Sequence, residues 1–292
     1  MAMLDPNLGV PLPEKSYAEA CTFNPRNLWS AIDIFCLAHA LGWFGKALIL
    51  RDYWFCWILS VAFELAEYSL AHHLANFAEC WWDHWILDVL ICNWLGIILG
   101  MRTCAYFEVK HYVWRGLRET HGLRHKSSRV IKQLTPRDWT TFEWEGTASF
   151  QGYVSVVLLL TVFLAAELNV FYLKALLWME PDHRFVIARL AAMFVCALPA
   201  VREFYQYMHD SRKVVRMGQH AWLLLATVTT ELLLIFKWGR GQFPLPFPLL
   251  VKICAFVGVV LLLAYPALKF GWPKIESRLD TRSIWSTTSK VE

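Results

Sequence analysis

Four long apolar stretches constrain the fold of this chain more than any other feature of its sequence. They lie near residues 148–166, 184–206, 218–237 and 248–268. A helix of roughly 20 residues crosses a hydrocarbon core of about 30 Å, so each stretch is long enough to span a bilayer. Hydrophobic residues make up 57% of the chain and charged residues only 18%, which is unlike a soluble domain. The sequence therefore predicts an all-α, polytopic integral membrane protein.

Three further apolar segments precede these stretches, which gives about seven predicted transmembrane helices in one membrane-embedded domain, 29–268. The predicted helices cover 29–49, 52–74, 84–105, 148–178, 184–206, 218–237 and 248–268. A polar N-terminal segment, 1–28, precedes this domain, and a polar C-terminal tail, 269–292, follows it. The sequence contains no internal repeat and no segment that resembles a soluble domain.

Lysine and arginine residues are concentrated in connections that fall on one side of the predicted membrane domain. The longest connection, 106–147, carries eight of them and is predicted to form a basic amphipathic helix on the membrane surface. The 207–217 loop and the C-terminal tail fall on the same side, which the positive-inside rule makes cytosolic. The 75–83 connection is then lumenal. Basic and aromatic residues are not interleaved on a polar domain, so nucleic acid is not expected as a partner.

Cysteine spacing gives no sign of a metal site or a disulfide framework. The eight cysteines are Cys21, Cys36, Cys56, Cys80, Cys92, Cys104, Cys196 and Cys254. They are spread about one per helix, with no CxxC pair and no histidine–cysteine cluster at zinc spacing. We interpret them as small buried hydrophobic residues.

The segment from Glu64 to Asp88, ELAEYSLAHHLANFAECWWDHWILD, contains five acidic residues and three histidines in an apolar neighbourhood. Ionised carboxylates are costly in hydrocarbon, so intramembrane acids usually face a wet cavity or a partner. Glu64 and Glu67 are three residues apart and project from one helix face. Glu79 and Asp83 are four apart across the entrance of the next helix. The turn between these pairs is predicted to fold the third helix against the second and to bring the carboxylates together.

Several like charges at one place require a neutralising partner, and a hard divalent cation is the predicted one. Calcium takes about six to eight oxygen ligands in an irregular shell, whereas magnesium prefers a stricter octahedron. The predicted catalytic and metal ligands are Glu64, Glu67, Asn76, Glu79 and Asp83. Asp88 and Asn93, deeper in the third helix, are secondary candidates, because a buried carboxylate or amide there could equally join helices. Any one carboxylate at a helix end could also be solvated or paired with a basic residue.

Histidine is the side chain whose unperturbed pKa lies nearest neutrality, and His39 lies in the middle of the first apolar helix. Taken alone, it would be a hydrogen-bonded core residue, whereas proximity to a metal-bound cluster favours a general base. His72, His73 and His84 are ambiguous and could be interface residues.

Intramembrane acids and a histidine also occur in ion pathways, so a membrane ion or solute transporter is the alternative function. A transporter is expected to show internal repeats or paired broken helices, which this sequence lacks. A third class is a scaffold that binds anionic lipid through the 106–147 segment. That class does not explain the acidic residues.

The motif NFAECWWD, from Asn76 to Asp83, resembles the base-exchange phosphatidylserine synthases of the eukaryotic endoplasmic reticulum. The FELAE segment before it and the Ile86-Leu87-Asp88 and Cys92-Asn93 pairs after it match the same family. Other matching segments are LDPNL, the GWFGKALILRDYWFCW helix, AELNVFYLK, PDH and REFYQYMHDSR, which together span most of the chain. Members of this family carry further membrane helices ahead of the LDPNL segment.

The resemblance implies an enzyme that exchanges the choline or ethanolamine of a phospholipid for L-serine, with calcium and without a nucleotide-activated lipid. It implies a multi-pass protein of the endoplasmic reticulum membrane, and a second copy of the chain, as a homodimer, stays open as a partner. The essential polar positions of the family correspond here to His39, Glu64, Glu67, Asn76, Glu79, Asp83, Asp88 and Asn93. The sequence lacks a GxxxxGK[ST] phosphate loop and the DG(x)2AR arrangement of the CDP-alcohol phosphotransferases, which argues against a CDP-lipid route.

Overall fold

The computed structural model describes residues 18, 21–32, 34–107, 122, 126, 139, 141–209, 216–243 and 246–271. Every regular element in these residues is helical, which confirms the all-α prediction. The helices are α1 (Pro25–Ala31), α2 (Ile34–Leu50), α3 (Tyr53–Leu70), α4 (Asp83–Phe107), α5 (Phe150–Leu176), α6 (Arg184–His209), α7 (Gln219–Trp238) and α8 (Leu249–Gly271). A short 3-10 turn, Ala75–Phe77, lies between α3 and α4.

Within the described residues, five helices, α4 to α8, are long and apolar enough to cross a membrane. All seven predicted segments are helical, but the predicted count of seven spans is not reproduced. The first predicted span is divided between α1 and α2, and α2 has only 17 residues. The second, α3, has 18 residues and carries two buried glutamates, which lower its mean hydropathy.

Side-chain caps fix where two of the first three helices begin. Asn24 precedes α1 and its carboxamide oxygen accepts a hydrogen bond from the Asn27 amide at 2.8 Å. Asp52 precedes α3 and accepts one from the Phe55 amide at 2.9 Å. Such caps stabilise a helix by about 1 kcal/mol each. The Asp52 cap therefore fixes where α3 begins.

Helices α2 and α4 pack closely because two glycines of α4, in the sequence GIILG, face α2. A methyl group on Gly96 would lie 2.3 Å from the Ala40 carbonyl oxygen and 2.8 Å from Trp43 Cβ. A methyl group on Gly100 would lie 2.6 Å from Ala47 Cβ. Small residues four apart permit this backbone approach between membrane helices. The packing holds the middle of α2 against the apolar second half of α4, directly after its polar first half.

The described residues fall into two compact units. The first comprises 1–143 and 162–243, and the second comprises 144–161 and 244–292. Within the second unit, the Tyr153 hydroxyl donates a hydrogen bond to the Leu262 carbonyl oxygen at 2.9 Å. The single membrane domain over 29–268 stays a prediction.

A partly buried group of polar side chains joins α5, α6 and α7 in the first unit. Arg189 of α6 donates a hydrogen bond from Nε to Glu231 Oε1 of α7 at 2.8 Å and another to the Ala166 carbonyl oxygen at 3.0 Å. Asn169 of α5 donates to the Val228 carbonyl oxygen at 3.0 Å. Because the arginine and the glutamate neutralise each other, this group serves as interhelical glue.

The outward faces of α7 and α8 are apolar. Leu250 and Phe256 of α8, for example, are 71% and 70% exposed. Large apolar surfaces of this kind fit contact with lipid tails, in agreement with a multi-pass membrane protein. The basic helix predicted within 106–147 lies mostly outside the described residues, and the segments 1–17 and 272–292 lie entirely outside them.

Candidate functional site

Glu64 and Glu67 lie on one face of α3 and are both buried, with 0% and 6% of their surface exposed. This arrangement follows from their three-residue spacing in an α-helix. Ser60, one turn before Glu64, is also fully buried. Ser60, Glu64 and Glu67 therefore form one buried polar stripe on α3.

The connection from α3 to α4 is held by a disulfide bond between Cys21 and Cys80. The prediction that all cysteines are reduced hydrophobic residues was therefore wrong for this pair. The two residues are 59 positions apart, so no local spacing reveals their pairing. The Phe23 ring lies against Trp81 and Trp82, which further attaches the segment before α1 to this connection.

The first part of α4, Asp83–Asn93, is π-helical, whereas an α-helix was predicted. Hydrogen bonds from residue i to i+5 widen each turn, so residues five apart lie about one turn apart. Asp83, Asp88 and Asn93 have this spacing. The wider turn therefore brings polar side chains closer to one face than an α-helix would, and such turns are frequent at functional sites.

His84 lies at the centre of the carboxylates, although the sequence left its role ambiguous. Its Nδ1 is 2.9 Å from Glu64 Oε2, 3.4 Å from Glu67 Oε2 and 4.0 Å from Glu79 Oε2. The ring is fully buried and its centroid is 4.4 Å from that of Tyr68. His84 is the principal site residue that sequence reasoning did not single out. Its signal was its position directly after Asp83 in a helix that faces the acids.

His39 belongs to a second group that also contains Glu64. One ligand atom each from His39, Glu64 and Asp88 lies within 4.8 Å of the others. Trp43 donates its indole N–H to His39 Nε2 at 3.2 Å, so the other ring nitrogen carries the proton of the neutral imidazole. Asn93 lies next to His39 and donates from Nδ2 to Ser60 Oγ at 2.7 Å.

Most of the predicted site residues lie together in one cluster, and Asn76 is the exception. Asp83 and Asp88 both lie close enough to Glu79 to raise the pKa of its carboxyl group. Asp88 was predicted as a secondary candidate, but it is as central to the site as the primary ones, because it shares a group with His39 and Glu64. Among the described contacts, none joins Asn76 to the cluster, although it lies in the 3-10 turn next to it.

The electrostatics of the cluster fit a bound cation. Burial and, to a lesser extent, the nearby Asp88 carboxylate raise the pKa of Glu79 to about 8. Two buried atoms, Glu64 Oε1 and His84 Nε2, have no hydrogen-bond partner among the described residues. A carboxylate oxygen without a partner inside a group of acids is a favourable ligand for a hard divalent cation. The donor set therefore fits calcium, with carboxylates as its principal ligands.

A positively charged side chain, that of Lys46, lies beside this site. Lys46 of α2 forms an ion pair with Glu167 of α5, and its Nζ lies 3.5 Å from the centroid of the Trp43 ring. Glu167 Oε2 is buried and has no hydrogen-bond partner among the described residues. The pair links α5 to the part of α2 that carries His39.

Fold and site together define a helical, multi-pass membrane protein with a buried carboxylate–histidine centre between α2, α3 and α4. The model of the family described as phosphatidyl serine synthase matches residues 1–239. The chain belongs to the phosphatidylserine synthase family, which confirms the resemblance found in its motifs.

Curated relatives support this assignment. The chain is 41% identical over 278 residues to Phosphatidylserine synthase 2 of Danio rerio, across 92% of this chain and 62% of the relative. It is 43% identical over 275 residues to Phosphatidylserine synthase 2 of Homo sapiens, across 91% and 56%. It is 42% identical over 271 residues to CDP-diacylglycerol--serine O-phosphatidyltransferase 2 of Oryza sativa subsp. japonica, across 89% and 64%. The chain thus spans less than two thirds of the length of these relatives.

Proposed function

We propose that the chain catalyses calcium-dependent base exchange, in which L-serine replaces the choline or ethanolamine headgroup of a membrane phospholipid. The observation that carries this proposal is the convergence of His39, Glu64 and Asp88 within 4.8 Å, in a chain of this family. A titratable base beside buried carboxylates suits transfer at a phosphodiester.

In the proposed reaction, the serine hydroxyl oxygen forms a bond to phosphorus while the bond from phosphorus to the old headgroup oxygen breaks. His39 takes the hydroxyl proton and returns it to the departing choline or ethanolamine oxygen. One phosphodiester replaces another, so the free-energy change is small and no nucleotide is needed. Because Trp43 donates to His39 Nε2, the serine hydroxyl has to replace this indole N–H as the donor to that nitrogen.

Glu64, Glu67, Glu79 and Asp88 are the residues that would hold calcium, with Asp83 next to them. When bound, calcium neutralises the lipid phosphate and the charge that develops in the transition state. The three carboxylates around His84 support this assignment, since they need a neutralising partner in a buried place. Asn76 stays a predicted ligand.

A second candidate reaction uses CDP-diacylglycerol as the phosphatidyl donor. It is favoured by two relatives, from Oryza sativa subsp. japonica and Arabidopsis thaliana, both named CDP-diacylglycerol--serine O-phosphatidyltransferases. Both reactions form phosphatidylserine and differ in the leaving group, which is an alcohol in one and CMP in the other. The donor therefore has to be determined by experiment.

The deciding experiment supplies labelled L-serine to microsomes that contain the chain, with vesicles of phosphatidylcholine, phosphatidylethanolamine or CDP-diacylglycerol. We expect label in lipid with one of the first two donors, release of choline or ethanolamine, and loss of both with EGTA. Incorporation only with CDP-diacylglycerol would favour the second candidate. Calcium flux without incorporation would favour the transporter class. Glu180→Gln serves as a control variant, because Glu180 is an exposed acid in the turn before α6.

The proposed location of the protein is the endoplasmic reticulum membrane, with the site on the lumenal side. Disulfides persist in oxidising compartments such as this lumen, and the Cys21–Cys80 bond lies directly next to Glu79. The basic residues of 106–147 and of the tail support a cytosolic position for the opposite face. The proposed partners are the phospholipid and L-serine, and a homodimer stays a prediction.

The disulfide yields a prediction about stability. Cys80→Ser should lower the thermal midpoint of the purified protein, because closing a loop of this length stabilises a fold by about 2–4 kcal/mol. It should also raise the calcium concentration that gives half-maximal serine incorporation, since Glu79 loses its anchored neighbour. Cys254→Ser, which removes an exposed cysteine of α8, is the control. Equal midpoints and equal calcium requirements for the two variants would contradict the prediction.

A further inference from the structure

One nitrogen of His84 lies within 4.0 Å of three carboxylates from two separate segments. Two of these acids, Glu64 and Glu67, belong to α3, and the third, Glu79, belongs to the connection before α4. The histidine itself opens the π-helical part of α4. Its side chain therefore lies at the place where α3, the connection and α4 meet.

The distances separate a hydrogen bond from weaker contacts. At 2.9 Å, Nδ1 and Glu64 Oε2 form a hydrogen bond, whereas 3.4 Å to Glu67 is long and 4.0 Å to Glu79 is beyond hydrogen-bond range. A carboxylate only accepts, so Nδ1 carries the proton. One N–H thus fixes Glu64 and attracts the other two acids.

The histidine ring cannot turn freely. It is fully buried, and the Tyr68 ring covers one of its faces at a centroid distance of 4.4 Å and an interplanar angle of 35°. A ring held in this way fixes the direction of its N–H. The orientation of the Glu64 carboxylate is therefore set by α4, although Glu64 belongs to α3.

Glu64 takes part in both groups of the site. It lies with Glu67 and His84 in one and with His39 and Asp88 in the other. His84 occupies its Oε2, and its Oε1 has no hydrogen-bond partner among the described residues. Once Oε2 is occupied, Oε1 is the oxygen that can bind a cation.

We propose that His84 is a positioning residue of the site, whose Nδ1–H fixes the Glu64 carboxylate so that its second oxygen is presented to the bound divalent cation. This inference rests on the proposed function. It assigns His84 a role different from that of His39, which exchanges protons with substrate. Hydrogen bonds to ligating groups commonly change metal affinity or activity by about 10- to 100-fold when they are removed.

Two substitutions distinguish the ring nitrogens. In His84→Asn the amide nitrogen can take the place of Nδ1, whereas in His84→Gln it can take the place of Nε2. The calcium concentration that gives half the maximal effect should differ by no more than about threefold between His84→Asn and the unchanged protein. We expect His84→Gln to raise that concentration about 10- to 100-fold.

The measurement is the calcium-induced rise in thermal midpoint of the purified protein in detergent, with calcium chloride alone, followed by serine incorporation. If both variants matched the unchanged protein, the positioning role would be excluded. If calcium stabilised His84→Gln as it does the unchanged protein but stabilised His84→Asn less, Nε2 would be the nitrogen that the site requires, and the proposal would be overturned. Calcium-induced stabilisation without serine incorporation would reject the proposed function and still test the role of His84. His209→Gln, at the exposed end of α6, is the control.

A second variant tests the role without changing the histidine, in case neither substitution folds. Tyr68→Ala removes the ring that holds His84 in place, and Tyr68 is 41% exposed, so folding should survive. We expect the calcium requirement to rise severalfold. Tyr207→Ala, at 44% exposure on α6, is the matched control. The same calcium requirement in both tyrosine variants would overturn the proposal.

Discussion

Glu64→Gln is expected to reduce serine incorporation by at least about 100-fold, the usual cost of removing one electrostatic contact to a transition state. Glu64 is fully buried and is common to the His39 and His84 groups. Glutamine keeps the volume of the side chain but removes the charge that both groups share. The substitution should therefore also abolish the calcium-induced rise in thermal midpoint.

The thermal stability of Glu64→Gln in the absence of calcium should not fall, although its activity does. A buried carboxylate among other carboxylates carries a desolvation cost and a repulsion cost, both of which the amide avoids. In calcium-free buffer, the thermal midpoint of Glu64→Gln should equal or exceed that of the unchanged protein. Thermal unfolding and serine incorporation, measured side by side with Glu180→Gln, check both statements. More than about a tenth of the original activity in Glu64→Gln would remove this residue from the site.

Gly96→Ala is expected to impair both stability and activity. The added methyl group would lie 2.3 Å from a backbone oxygen of α2 and 2.8 Å from Trp43 Cβ, so the two helices would have to separate. Overpacking of this kind typically costs about 1–3 kcal/mol. The same shift would move His39 away from Asp88. Because a misplacement of about 1 Å can reduce a rate about 100-fold, activity should fall more than stability.

Gly42→Ala provides a matched control for this variant. Gly42 lies on α2 close to His39, but a methyl group there would meet nothing within 4 Å. The thermal midpoint and serine incorporation of the two variants should therefore differ sharply. If Gly96→Ala behaved like Gly42→Ala, the close contact between α2 and α4 would not hold His39 in place.

The helices could be predicted from the sequence because the apolar runs that produce them are long and local. The predicted segments 184–206 and 218–237 correspond to Arg184–His209 and Gln219–Trp238, for example. The shared face of Glu64 and Glu67 was also predictable, since it needs only the helical repeat. These features depend on neighbours within a few positions, which a sequence displays directly.

The features that could not be predicted depend on residues far apart in the chain. The Cys21–Cys80 bond needs two segments that only the fold brings together. The role of His84 depends on which face of α4 meets α3, and the π-helical register changes that face. An i to i+5 register has no simple sequence signal, so the positions of Asp88 and Asn93 relative to His39 required the structure.

The Cys21–Cys80 bond also restricts how the chain threads the membrane. Two sulfurs can bond only on the same side of a bilayer, so the 59-residue path between them crosses it an even number of times. Whether α2 and α3 cross twice or only dip into the membrane, α4 starts from the same side. The difference between five and seven spans therefore leaves the orientation of α4 to α8 unchanged. During biogenesis, the bond can form only after α2 and α3 have been inserted with both ends in one compartment. The presence of the bond therefore indicates that these two helices have been inserted correctly.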